Sequence, residues 1–215
     1  MNNKIMSQSF IWMFIGLLVT FLTGFAVAHN EVMIINIFKN SMYWILCIVE
    51  LVLVIFLSAK VRTMGKNTAR ICFLLYSFVS GLTFSSVFVI YKLTSILYVF
   101  LLAAVIFLIF GLIGYFTKLD LTKIGTYLMM VLLAVIICFI VNIFVANETF
   151  DMITSIICIL IFIGFTAYDV QKIKNLADDG DVPEENLAIV SALNLYLDYI
   201  NIFLHLLSII GNSRD

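Results

Sequence analysis

Residues 194–207 read NLYLDYINIFLHLL, an apolar run with an aspartate, Asp198, near its middle. With its flanks the run extends over about 187–210, and a bilayer's hydrocarbon core takes about 20 apolar residues in helical form. Ser191, Asn194, Asp198, Asn201, His205 and Ser208 follow one another at spacings of 3, 4, 3, 4 and 3. That rhythm puts all six on one stripe of a helix, drifting by only about 20° per heptad. The other faces carry Leu, Ile, Phe, Val, Ala and Tyr. Lipid cannot hydrogen-bond a polar stripe, so it must face protein or water, which predicts a central last helix surrounded by the others.

Composition extends this reading to the whole chain. Of its 215 residues, 64% are hydrophobic and 12% charged, whereas a soluble domain is about a quarter charged. Too few polar residues remain to coat a core, so the chain is expected to be an all-α integral membrane protein forming one domain over 1–215. A net charge of −1 gives no attraction to nucleic acid. Seven apolar runs fall at about 9–28, 41–59 (or from near 32), 71–91, 94–116, 124–146, 151–169 and 187–210. Such lengths fit helices rather than the alternating strands of about 10 residues in outer-membrane barrels. The first run ends FAVAHN, resembling a signal cleavage site, but it is longer than a signal core and only Lys4 precedes it. Cys47, Cys72, Cys138 and Cys158 all lie in apolar runs without a CxxC pair, and His29 and His205 lack metal-ligand spacing. Core packing, not a disulfide or zinc site, is the expectation for these cysteines, and no cofactor is expected.

Basic residues orient the chain. With the N-terminus inside, the inner segments carry Lys4, Lys60, Arg62, Lys66, Arg70, Lys118, Lys123, Lys172 and Lys174, and the outer ones only Lys39, Lys92 and Arg214. This is a positive-inside bias, and seven spans then leave the C-terminus outside.

An isolated charge at mid-bilayer costs about 2.5–3.5 kcal/mol on insertion scales, so Asp198 is expected to have a function. Asn194, Asn201 and Ser208 fit interhelical hydrogen bonding, and His205 fits a satisfied interfacial histidine; each can equally line a polar path. Candidate partners for Asp198 are Asp169, which closes the sixth run in FIGFTAYDVQKIK, and Glu50 in CIVELVLV, with Lys60 and Arg62 at the end of the second run. Run boundaries put Asp169 and Asp198 up to about 15 Å apart along the membrane normal, so spacing alone leaves their contact open. If they meet, two carboxylates in low dielectric cannot both ionise cheaply and would hold one shared proton. A base at Lys60 or Arg62 could compete for one of them and act as a latch, giving the two arrangements that gating needs.

Four stretches in order resemble the Bax inhibitor-motif family of seven-helix membrane proteins, particularly its short bacterial members: LSAKVRTMGKNTARICFLLYSFVSGLTFSSVFVIY (57–91), GYFTKLDLTKIG (114–125), IFIGFTAYDVQKIK (161–174) and ALNLYLDYINIFLHLLSIIGN (192–212). The resemblance implies six helices around a central seventh and a pH-sensitive calcium leak in a bacterial cytoplasmic membrane. It implies a pH-sensing pair at Asp169 and Asp198, an acid on the ion path at Glu50, and a latch base at Lys60, where the family usually has arginine, or Arg62. Ser208 stands where a base is frequent in the family. Calcium prefers six to eight oxygen ligands, so binding at Asp169 and Asp198 is expected to be weak and transient, with calcium as permeant and Asn194, Asn201 and His205 along the path. The expected partners are lipid, calcium ions and protons, for a monomer that is not an enzyme. Two other classes compete: a non-transporting regulator that binds membrane proteins such as proteases or cell-death factors, and an intramembrane aspartyl protease, for which no GxGD surrounds Asp198. A retinal pigment is excluded because residues 187–210 contain no lysine.

Overall fold

A computed structural model describes residues 2–39, 42–61, 63–145, 147–179 and 184–213. The chain is an all-α membrane protein. Its helices are α1 (Asn2–Ala28), α2 (Glu31–Lys39), α3 (Met42–Lys60), α4 (Lys66–Ile90), α5 (Leu93–Phe116), α6 (Thr122–Val145), α7 (Glu148–Asp179) and α8 (Glu184–Ile210). All but α2 contain a segment long and apolar enough to cross a membrane, seven among the described residues. The stretch near residue 32 is thus not an early start of the second span but the short α2. The sixth span also runs further than hydropathy implied, from Thr149 to Asn175. Beyond Asp169, Val170 and Ile173 stay buried. Lys172 and Lys174 lie over the rings of Tyr168 and Tyr115, at 5.3 and 5.0 Å. Their stems thereby cover apolar surface while the charges rest on aromatic faces.

The chain falls into two compact units. The first comprises Met1–Leu93, Ala177–Tyr196 and Ser213–Asp215. Here α1 and α4 approach through small residues: a Cβ on Gly81 would lie 2.6 Å from Thr23 Cβ, and one on Gly24 3.1 Å from the Gly81 carbonyl. Close backbone approach is how membrane helices gain packing energy without a hydrophobic driving force. Tyr196 of α8 is fully buried there, edge-on to Phe73 and Tyr76. Its hydroxyl lies 2.7 Å from Thr20 Oγ1 and 3.0 Å from Ser80 Oγ. Three helices thus meet through one chain of hydroxyls. Asn186, near the start of α8, donates from Nδ2 to the carbonyls of Val61 and Met64, pinning the α3–α4 turn.

The second unit comprises Thr94–Leu176 and Leu197–Asn212. Tyr199 packs edge-on against Phe100 and Phe107 of α5 and donates its hydroxyl to the Phe100 carbonyl at 2.8 Å. At the start of α6, Asp120 Oδ1 accepts the Thr122 N–H at 3.0 Å. Hydrogen bonds from the Thr122 side chain and backbone hold its carboxyl below the usual range. A depressed folded value means the cap is in place at neutral pH and is lost only as acid protonates it. Of the seven spans, α8 has the largest buried share, and α3 and α6 the smallest. The apolar faces of α3 and α6 therefore meet lipid.

Where α5 crosses α7, a Cβ on Gly114 would lie 2.1 Å from the carbonyl oxygen of Ala167, whereas one on Gly111 would meet Val170 Cγ2 at an ordinary 3.6 Å. Backbone cannot step aside as a side-chain tip can. Gly114→Ala is therefore expected to destabilise by at least about 1–3 kcal/mol, the usual overpacking cost, and Gly111→Ala to be nearly neutral. Thermal unfolding of the two purified variants in detergent checks this; equal melting temperatures would refute the close contact.

Candidate functional site

Asp169 on α7 and Asp198 on α8 are both buried, at 7% and 4% exposure, and both belong to the second unit. Asp169 lies within electrostatic reach of Asp198. The run boundaries left their relative heights open; α7 is longer than its apolar run, and Asp169 is an interior residue of a helix that continues to Asp179. Among the described residues, Asp198 Oδ2 is the buried side-chain oxygen or nitrogen without a hydrogen-bond partner. Leaving such a group unpaired typically costs about 1–3 kcal/mol.

Neighbouring residues fix Asp169 in place. Two positions before it, Ala167 presses its backbone against Gly114. Two positions after it, Gln171 accepts the Leu121 N–H at 2.8 Å and donates to the Leu119 carbonyl at 2.7 Å. Lys174 Nζ donates to the Tyr115 carbonyl at 2.9 Å. These bonds tie α7 to the turn between α5 and α6, so the carboxylate is carried on stiff backbone. On α8, Tyr199 anchors the residue next to Asp198 through its bond to Phe100.

The rest of the polar stripe divides. Asn201 donates to the Leu197 carbonyl of its own helix at 2.7 Å, and Asn194 is half-buried. His205 Nδ1 lies 3.2 Å from Ser155 Oγ near the start of α7, and its ring stacks on Phe139 of α6. Ser208 also reaches Ser155, at 3.3 Å. His205 and Ser208 thus face the beginning of α7, whereas Asp198 responds to Asp169 near its other end. Glu50 belongs to the first unit, where it accepts the Thr83 hydroxyl at 2.8 Å and lies within electrostatic reach of Tyr76 and Tyr196. Lys60 ends α3 and is exposed; Arg62 lies outside the described residues. Among the described residues no group of three or more His, Cys, Asp or Glu side chains gathers as a metal site.

Ser155, Gln171 and the Thr20–Tyr196–Ser80 chain escaped the sequence reading. Isolated hydroxyls are common in membrane helices, and only three-dimensional pairing distinguishes them. Gln171 could have been noticed as the polar residue next to Asp169's helical turn.

Asn at position 198 would replace the orphaned oxygen with an amide able to donate toward Asp169. Asp198→Asn is therefore expected to raise stability, by about 1–3 kcal/mol of relieved desolvation and roughly 2–4 °C per kcal/mol in melting temperature. A variant that melts at or below the parent temperature would mean that the unpaired oxygen carries no cost.

The family model described as inhibitor of apoptosis-promoting Bax1 matches residues 2–215. An uncharacterized protein of Borreliella burgdorferi is 40% identical over 219 residues, covering 100% of this chain and 94% of its own length. The inner membrane protein YbhL of Escherichia coli K12 is 38% identical over 214 residues, covering 97% and 92%. A protein of Deinococcus radiodurans is 34% identical over 212 residues, covering 98% and 90%.

Proposed function

The chain belongs to the Bax inhibitor family, and from that premise we propose that it is a pH-sensitive cation leak, with calcium as the permeant ion. The observation that carries this reading is the buried pair Asp169 and Asp198, with one carboxylate oxygen left without a partner. Two carboxylates this far from water cannot both ionise cheaply, so the pair holds one shared proton. Losing that proton places two like charges in low dielectric and drives the two helices to a second arrangement. Asp198 retains an unpaired oxygen, as a group kept for titration does.

The ion path in this proposal uses Glu50, Asn194, Asn201 and His205, with weak and transient calcium contact at Asp169 and Asp198. Few oxygens are on offer for an ion that prefers six to eight, which suits passage rather than storage. A latch base, Lys60 or Arg62, would hold one arrangement by pairing with a carboxylate. The E. coli relative is an inner membrane protein, and we place this chain likewise in a bacterial cytoplasmic membrane, N-terminus inside and C-terminus outside. It acts as a monomer without enzymatic activity.

Calcium flux into liposomes loaded with a fluorescent indicator tests the proposal. Wild-type protein should pass Ca²⁺ at a rate that changes with pH, and Asp169→Asn or Asp198→Asn should abolish the pH response. Absence of flux at every pH would instead favour a regulator that binds other membrane proteins. Unchanged pH profiles in both variants would refute the shared-proton switch.

Glu50 provides a separate expectation. Its bond from Thr83 survives in Glu50→Gln, which keeps an acceptor oxygen but loses the charge. That variant should conduct several-fold more slowly with the same pH midpoint; a shifted midpoint would assign Glu50 to the sensor rather than the path.

A further inference from the structure

In the second unit, where α6 ends and α7 begins, the structure contains a cavity of about 540 Å³. Its polar wall is the carboxylate of Asp151, the imidazole of His205 and the hydroxyls of Ser155 and Ser208. The remainder is apolar, from Phe139, Met152 and Leu204. Ser155 is buried, His205 half-buried and Asp151 exposed, so the charge stands at the mouth and neutral groups form the floor. Asn142 donates to Asp151 Oδ1 and to the Asn147 carbonyl, and accepts the Asn147 N–H. The carboxylate is therefore held in place by a bond that engages one of its two oxygens.

The wall selects among ligands. Among the described residues no lysine or arginine lines the cavity, and the one formal charge they supply there is negative, which disfavours anions. A hard divalent ion needs six to eight oxygens, but here the two hydroxyls are spent on each other and on neighbours: Ser208 Oγ lies 3.3 Å from Ser155 Oγ and donates to the His205 carbonyl at 2.9 Å, and Ser155 also meets His205. Softer metals lack a third strong ligand among the described residues. A neutral apolar guest would gain nothing from the carboxylate at the mouth. What remains is a cation that carries its own apolar surface. Its charge would face Asp151, while its alkyl groups meet Met152, Leu204 and the Phe139 ring, stacked at 5.9 Å on His205. Aromatic faces and carboxylates together are how proteins hold alkylammonium ions, and the volume falls within the usual range for a small-molecule site.

We propose that this cavity is a binding site for a small alkylammonium ion, such as the choline or ethanolamine group. Asp151, Phe139 and Ser208 each lie within a few residues of the end of a membrane span, which puts the site at headgroup depth. The ammonium can thus come from a lipid headgroup or from a soluble amine. Neither Asp169 nor Asp198 lines the cavity, which shares only His205 with the proposed ion path.

The test uses full-length protein with ¹³C-methyl methionine in phosphatidylglycerol nanodiscs, with the Met152 resonance assigned by its loss in Met152→Leu. Choline should shift that resonance saturably, and its neutral isostere 3,3-dimethylbutan-1-ol should not. Asp151→Asn should weaken choline binding by about tenfold or more, and Phe139→Leu by several-fold. Phe139→Leu keeps the Asn142–Asp151 bond, so it decides the matter if Asp151→Asn fails to fold. An equal response to the alcohol, or unchanged affinity in the folded variants, overturns the proposal. In phosphatidylcholine discs, a Met152 signal already at its bound position before choline is added identifies the headgroup as occupant. A signal that moves only on adding choline identifies a soluble amine.

Discussion

Hydrocarbon offers no hydrogen bonds, and every polar group within the spans has to be answered by protein. Most are. Thr20, Tyr196 and Ser80 answer one another, Thr83 answers Glu50, and Gln171 and Lys174 reach the backbone of the turn between α5 and α6. These bonds fix which helices meet and at what height, because each is satisfied only in one register. Against that background the unpaired oxygen of Asp198 is an exception to the rule that organises the rest. An unpaired buried oxygen costs stability, so Asp198 stands apart from the polar groups that hold the helices together.

Helix α8 shows how one segment serves both purposes. Its first half contributes Asn186 and Tyr196 to the first unit, one gripping the α3–α4 turn and the other filling the space between α1 and α4. Its second half contributes Asp198, Tyr199 and His205 to the second unit. The apolar majority of its residues secures it by packing, which leaves the six polar positions free for other work.

Much of this was legible in the chain itself. Runs of about 20 apolar residues located all seven spans, and the 3-4 spacing of Ser191 through Ser208 identified the last as the one with polar work to do. Boundaries were less legible. The end of α7 was misplaced because Gln171, Lys172 and Lys174 lower the hydropathy there, yet they remain helical by bonding to the neighbouring turn and lying over Tyr115 and Tyr168. With that boundary, spacing left the contact of Asp169 with Asp198 open. The stripe also read as one surface, whereas its members have different neighbours: Asn201 bonds its own helix, and His205 turns to Ser155 and Phe139. Periodicity says which residues share a face, and is silent on what stands opposite.

The bare contact between Gly114 and Ala167 has a mechanical consequence. Where two helices touch main chain to main chain, no layer of side chains can shear between them, and sliding one past the other would require lifting them apart first. A displacement of α7 large enough to carry Asp169 away from Asp198 must therefore bring α5 with it as a single stiff piece. The aromatic contacts of Phe100 and Phe107 with Tyr199 would be the hinge side of that movement, since rings can roll over one another where backbones cannot.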